Sequence, residues 1–554
     1  MRRLTVSLLA LIAIAVAGSA RPALAQEEPP ARVGRVSFVE GQLGFHAAGE
    51  TQWSAAAVNY PVATGGAFWT DPKSKAEIRI GGQTIDLSGD TEIDLTQLNQ
   101  QVIQIALPQG RIALRLRQLA EGNSIEIDLP RGGVWLLQAG RYDIDAGAPD
   151  RPARVMVFEG SARFVGGALD QGIAAGEAAM IGGTDTLTAT IERAASDAFV
   201  EWVRSRDYPE HRLAAPYYVS PDMTGYEDLD QYGSWGEAPD YGQVWYPSSV
   251  AADWAPYRDG HWVSVEPWGW TWVDAAPWGF APSHYGRWAR IQGRWGWLPG
   301  RFAPQPVYAP ALVAFIGDSG RGFGGAGARG PAVGWFPLGP DEVYWPSYSR
   351  NPNYIRNVNV ANVSQARIAT IASIANPNLN RPGTASQGTA GPPPQAANQN
   401  FANRAAATVV PLRTFTSAAR VAPAALPVAP QALQQARISV PPPQATPRRV
   451  AAPQVAAPFG RAAPGTPNAA APLAVPSTAA AIHPPGTVAP LAGPGTHPPG
   501  ATGTAAPLAG PGAHPPGAAG TAAPLAGPGA HPPGAAGTAA PLAGPGAHPP
   551  GATG

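Results

Sequence analysis

Cysteine is absent from the 554 residues, so no disulfide framework and no thiol for a lipid anchor can contribute to this chain. Lysine is nearly absent too, with Lys73 and Lys75 alone. Acid stops at Glu342: all 38 Asp and Glu lie at or before it, while eleven of the 38 basic residues are the arginines from Arg350 to Arg461. That leaves 27 basic residues against 38 acidic ones up to Ser349, an acidic body with a basic tail hidden behind a net charge of zero. Such a split suits a tail that meets an anionic surface or its own body, although the Ala, Arg, Gly and Pro bias of a GC-rich genome produces it equally well. Past the first 25 residues no apolar run reaches the ~20 residues of a membrane span.

The start does hold one shorter apolar run. Arg2-Arg3, then Leu4 to Ala17, then Ala23-Leu24-Ala25 before Gln26 read as the three parts of a secretory signal peptide, residues 1–25, cut after Ala25. The expected mature protein is exported, to the periplasm or beyond, with no transmembrane span.

From 33 to 195 short segments alternate apolar and polar residues and end on Gly, Asp, Asn or Pro, the pattern of half-buried strands. Ala76-Glu77-Ile78-Arg79-Ile80 and Thr84-Ile85-Asp86-Leu87 flank Gly81-Gly82, predicting a hairpin whose Ile78, Ile80, Ile85 and Leu87 share a buried face. Ten or so such beats predict an all-β roll or sandwich. The order of "VGRVSFVEGQLGF", "AEIRIGGQTIDLSGDTEIDL", "GRYDID", "VMVFEGSARF" and "GIAAGEAAMI" resembles the periplasmic domain of the ferric-citrate-regulator (FecR) family. In that family the resemblance implies a signal-receiving β module behind a membrane helix and a cytoplasmic segment; here a cleavable leader stands in their place. A FecR-type sensing or regulatory component is therefore the alternative function.

Residues 196–234 predict an amphipathic helix from Ser196 to Arg206, capped by Ser196 and with Phe199, Trp202 and Val203 on one face, followed by a connector rich in Tyr, Pro and Asp. Residues 235–348 then hold thirteen of the seventeen tryptophans, eleven of them between Trp235 and Trp297. Gly-x-Trp beats (Gly260-His261-Trp262, Gly286-Arg287-Trp288, Gly293-Arg294-Trp295) alternate with aromatic-Gly-aromatic beats (Trp268-Gly269-Trp270, Trp278-Gly279-Phe280, Trp295-Gly296-Trp297), and each pair of beats predicts a β-hairpin. Residues two apart share a strand face, so Trp268, Trp270 and Trp272 are expected as a ladder, with glycine clearing the opposite face for a neighbouring strand or a flat ligand. Trp262, Trp268, Trp270, Trp272, Trp278, Tyr285, Trp288, Trp295 and Trp297, with His261 and Arg287, are the candidate ligand-binding residues; the competing expectation is that the indoles are simply the core. The stretch "DWAPYRDGHWVSVEPWGWTWVDAAPWGFAPSHYGRW" closely resembles a Trp-rich domain of unknown function in exported proteobacterial proteins, from about Tyr208 to Tyr348, which implies architecture and location more than mechanism.

Residues 349–554 turn to Pro, Ala, Gly, Gln and Thr, a composition expected to stay disordered. From about His497 a 17-residue unit recurs with His497, His514, His531 and His548 in register, read as a semi-extended spacer. No second ligand type accompanies these histidines, so no metal is expected.

Catalytic patterns do not assemble. Gly317-Asp318-Ser319-Gly320 has the order of a serine-protease nucleophile but sits in a glycine-rich run without a matching histidine. His261 and His284 fit no motif spacing, and Glu266 with Asp274 would need a defined separation across a cleft to hydrolyse a glycoside. The resulting expectation is a mainly β, non-enzymatic, exported cell-envelope protein without cofactor. It would bind or scaffold cell-wall glycan or an envelope protein, not nucleic acid, and a glycan-active enzyme is the least favoured reading.

Overall fold

The computed structural model describes residues 28–47, 53–207, 213–317, 331–369 and 400–439. The expected leader, Asp318 with Ser319, and the histidine repeat lie outside the described residues. Among them the chain is mainly β, as the alternation predicts.

Eighteen strands between Gly34 and Arg193 form two nine-stranded sheets. All their pairings are antiparallel except that of Val102–Gln109 with Ser124–Leu129. The predicted hairpin is Lys75–Ile80 with Gln83–Leu87, Ile78 opposite Ile85. Both sheets send one face of each strand into a shared core, with Ile78, Ile80, Ile85 and Leu87 from one and Ile93, Ile105, Ile127 and Phe164 from the other. That is the packing solution for sheets with one apolar face.

The helix runs over Ala198–Ser205, and its cap is Asp197, whose carboxylate accepts from the backbone N–H of Phe199 and Val200, rather than Ser196. Asp satisfies two otherwise orphaned donors and places negative charge at the positive helix end. Ser196 instead turns its hydroxyl to Glu201. Trp202 lies against Phe38 of the β domain, centroids 6.1 Å apart, and Arg206 covers Phe38 at 3.8 Å.

Beyond a segment of short helical turns comes the Trp-rich body. One four-stranded sheet has the order Gly233–Ala238, Gly242–Pro247, Arg294–Leu298, Arg287–Ile291, and a separate hairpin pairs Gly260–Val265 with Gly269–Asp274. A second four-stranded sheet has the order Thr408–Pro411, Ala332–Pro337, Val313–Ile316, Ile438–Ser439. Two of those strands come from beyond residue 349, where composition sets the start of a disordered tail. The fold extends further because Val409, Val410, Phe415, Val421 and Leu433 are buried against the Trp-rich core or its neighbouring cluster. The helix Pro352–Asn359 also lies past that boundary.

The β domain and the Trp-rich body are joined by buried charge. Arg35 on the first strand pairs with Asp228 and donates to Asn59 (2.9 Å) and to the Pro277 carbonyl (3.1 Å). Arg79 bridges Glu77 (2.6 Å) and Glu227 (2.8 Å), and Arg206 reaches the second oxygen of Glu77 at 2.8 Å. Groups this well shielded from water hold their charge only when paired and hydrogen-bonded, so the connector carrying Glu227 and Asp228 fixes the two parts of the chain to each other.

Candidate binding surface

Period two puts Trp262, Trp270 and Trp272 on one face of their hairpin, Trp262 directly opposite Trp272. That face points inward. Trp262 meets Trp272 edge-on at 5.5 Å and Trp335 at 5.3 Å, while Trp270 packs on Phe415 at 4.4 Å. Edge-to-face contacts at this distance are the favoured geometry between π-systems. Trp268 precedes the strand Gly269–Asp274 and packs on Tyr308 at 5.1 Å, so the three-rung ladder is not formed.

Several indole N–H groups are consumed inside, while that of Trp262 is buried without a hydrogen-bond partner among the described residues. Trp245 donates to the Leu229 carbonyl (2.8 Å), Trp288 to that of Pro282 (3.0 Å), Trp297 to that of Tyr285 (2.9 Å) and Trp335 to that of Tyr257 (2.8 Å). Trp272 donates to the Asp274 carboxylate at 2.9 Å. Of the eleven expected residues, Trp262, Trp268, Trp272, Trp278, Tyr285, Arg287, Trp288, Trp295 and Trp297 are buried, and His261 and Trp270 are half-buried.

The polar residues of this region are spent in the same way. Arg287 gives its three nitrogens to the Glu342 and Gly286 carbonyls and to the Asn359 side chain, at 3.1, 2.8 and 2.8 Å, and burial lowers its pKa to about 10. His284 Nδ1 lies 2.8 Å from the Ala309 carbonyl oxygen, and burial takes its pKa down to about 3. Burial lowers His261 as well, with the Arg420 charge adding to it. Asp274 is raised to about 6 by burial, against the hydrogen bonds from Trp272 and the Ala276 N–H. Glu266 is exposed past the far end of the same hairpin. Among the described residues no three His, Asp or Glu side chains gather as metal ligands would.

One cleft of about 350 Å³ brings indole to the surface beside cations, lined by Trp254, Trp295, Arg258, Arg290 and Asp253 and closed by the backbone around Ala405 to Val409. Trp254 is half-buried, held edge-on against Trp288 at 5.5 Å and tilted on Trp278 at 5.7 Å. The Arg290 guanidinium lies over Trp295 at 5.4 Å and, among the described residues, has no carboxylate partner. Arg258 is steadied by the Asp253 carbonyl (2.9 Å) and carboxylate (3.4 Å). Of these residues Trp295 is in the expected set. Trp254 and Arg290 belong to none of the Gly-x-Trp or aromatic-Gly-aromatic beats, which is why sequence reasoning passed over them.

Among the described residues no helix is long and apolar enough to cross a membrane. No curated protein matches the chain. Two crystal structures of a candidate anti-sigma factor from Parabacteroides distasonis ATCC 8503 are similar over 25% of this chain at 12% identity, with TM-scores of 0.23 and 0.22. The chain spans 64% and 63% of the length of those two chains, and a likeness at this level decides neither fold nor activity. Residues 226–342 match the family of unknown function designated DUF6600, which covers the connector's buried acids, the Trp-rich hairpins and the cleft's two arginines.

Proposed function

We propose that this chain is a non-enzymatic, exported envelope protein whose Trp-rich body holds cell-wall glycan at the cleft between Trp254 and Trp295. The observation that carries this reading is the pairing of a partly solvent-facing indole with Arg290, a guanidinium free of any carboxylate among the described residues. Indole faces stack on the C–H faces of sugar rings, and an arginine fork hydrogen-bonds hydroxyls or a carboxylate bidentately. The fixed orientation of Trp254 on Trp288 and Trp278 supports it, since a preorganised platform loses little freedom on binding. The leader-like start and the FecR-like order of motifs in the β domain support placement outside the cytoplasm.

The test is a titration of intrinsic tryptophan fluorescence of the full chain with soluble peptidoglycan fragments. A saturable change that disappears in Trp254→Ala and weakens at least tenfold in Arg290→Gln is expected. No change in the parent chain, or an unaltered curve in both variants, would sink the reading.

A further inference from the structure

A second cleft lies where the β domain meets the Trp-rich body, with a volume of about 320 Å³, at the small end of the range for small-molecule sites. Arg32, half-buried, is among its lining residues. The flanking backbone is fixed on both sides, because the Ala31 carbonyl accepts from the Tyr308 N–H at 3.0 Å and the Val33 carbonyl from the Thr224 hydroxyl at 2.7 Å. Val33 itself is fully buried in the Trp-rich core. Arg32 is thus delivered to the cleft by a rigid stretch of chain, yet among the described residues its guanidinium makes no hydrogen bond or ion pair, and its Nε is shut off from solvent without a partner. The buried Arg35, Arg79 and Arg287 are paired with carboxylates or carbonyls, whereas Arg32, like the half-buried Arg154, lacks such a partner among the described residues.

The surroundings are mostly amides, with two acids, Asp222 and the exposed Glu121. Gln83 and Gln118 come from the β domain, with Gln83 Nε2 donating to the Gln118 carbonyl at 3.1 Å and Gln118 Nε2 donating to Asp222 at 3.3 Å. Gln101, Asn123 and Gln305 complete the amide lining, and the side chains of these three make no hydrogen bond among the described residues. Asp222 is the nearest counter-charge acting on Arg32, without ion-pair contact.

From this geometry we infer that the cleft at Arg32 is a binding site for a sugar bearing a single carboxylate. A half-buried guanidinium whose Nε is shut off from water and without a partner among the described residues gains when a carboxylate enters its fork. The free amides each offer a donor and an acceptor that match ring hydroxyls. The Asp222 and Glu121 charges in the lining disfavour a second negative group on the ligand. The site is separate from the Trp254 cleft and does not depend on the function proposed for it.

Isothermal titration of the full chain with D-glucuronate and with D-glucose tests this, because the two rings differ by the carboxylate alone. Glucuronate is expected to bind at least tenfold more tightly, and Arg32→Gln, with an unchanged melting temperature, to abolish the preference. Asp222→Asn is expected to tighten glucuronate several-fold, which keeps the test decisive if Arg32→Gln fails to fold. Trp254→Ala is expected to leave glucuronate binding as it is. Equal binding of the two sugars, binding of neither, a preference that survives Arg32→Gln, or glucuronate binding that Asp222→Asn leaves unchanged or weakens would overturn the inference.

Discussion

Arg35 on the first strand and Asp228, 193 residues later, form an ion pair that is buried on both sides and joins the β domain to the Trp-rich body. Removing Arg35 leaves Asp228 buried without its cation and takes a second, 3.7 Å charge contact from Glu227, which keeps only Arg79 at 2.8 Å. Arg35→Met is expected to cost about 3–5 kcal/mol. The double variant Arg35→Met with Asp228→Leu is expected to recover part of that loss, since no charge is then stranded at Arg35. Urea unfolding curves of the single and double variants check this; a double variant less stable than the single one would count against it.

His284 predicts a pH response. Its ordinary pKa of 6.5 falls to about 3 in the fold because the ring is buried against Phe280 and Tyr308, 4.4 and 4.6 Å away. Between those two values the unfolded chain takes up a proton that the folded chain refuses. The stability His284 contributes is therefore whole above pH 6.5 and is lost as pH falls toward 3, at about 1.4 kcal/mol per pH unit. Asp143 and Asp274, raised to about 6 by burial, slope the opposite way above the ordinary carboxylate range. They do so in parent and variant alike and drop out of the comparison. His284→Phe is expected to be less stable at pH 7, having lost the Ala309 hydrogen bond, but to show a flatter decline between pH 6 and 4. Parallel declines would remove His284 as the cause.

The glycine of Trp295-Gly296-Trp297 faces away from its two indoles. A methyl there would stand 2.5 Å from Val244 Cγ1 and 3.1 Å from Tyr246 Cε1, whereas one at Gly236 meets Tyr246 at 3.4 Å. Overpacking predicts that Gly296→Ala destabilises by about 1–3 kcal/mol, with Gly236→Ala within about 0.5 kcal/mol of the parent. Thermal melts of the two variants decide it.

These positions also show how far the sequence carries. Period two identifies which residues share a strand face, so the hairpin of Ile78 and Ile85 and the clearance at Gly296 are both legible. It does not say which way a face points. Trp270 and Trp272 turn inward because Trp335 and Phe415 meet them from 63 and 145 residues further on, counted from Trp272 and Trp270, and no local pattern records that. The Arg35 to Asp228 pair is equally invisible, as each residue alone reads as a solvated charge. Val409, Val410 and Phe415 are lost for another reason: they stand in a stretch whose average is Ala and Pro, and averaging over composition erases a short apolar cluster.

That cluster leads to the last prediction. Phe415 touches Trp262, Trp270, Phe315 and Trp335 with centroids 4.4 to 6.1 Å apart, and the strand Thr408–Pro411 completes a sheet edge beside Ala332–Pro337. Phe415→Ala alone is expected to cost about 3–5 kcal/mol. A chain ending at Tyr348 loses this packing, the Asn403 amide on the Trp288 carbonyl (2.7 Å) and the Asn359 oxygen that accepts from Arg287 (2.8 Å). Buried Arg287 would then lack its side-chain partner while the tryptophan core lies open on one side. Its fluorescence is expected to shift to the red and its melting transition to fall or vanish, whereas a chain ending at Ser439 keeps both. Equal melting temperatures for the two truncations would show that the segment after Tyr348 is dispensable to the Trp-rich body.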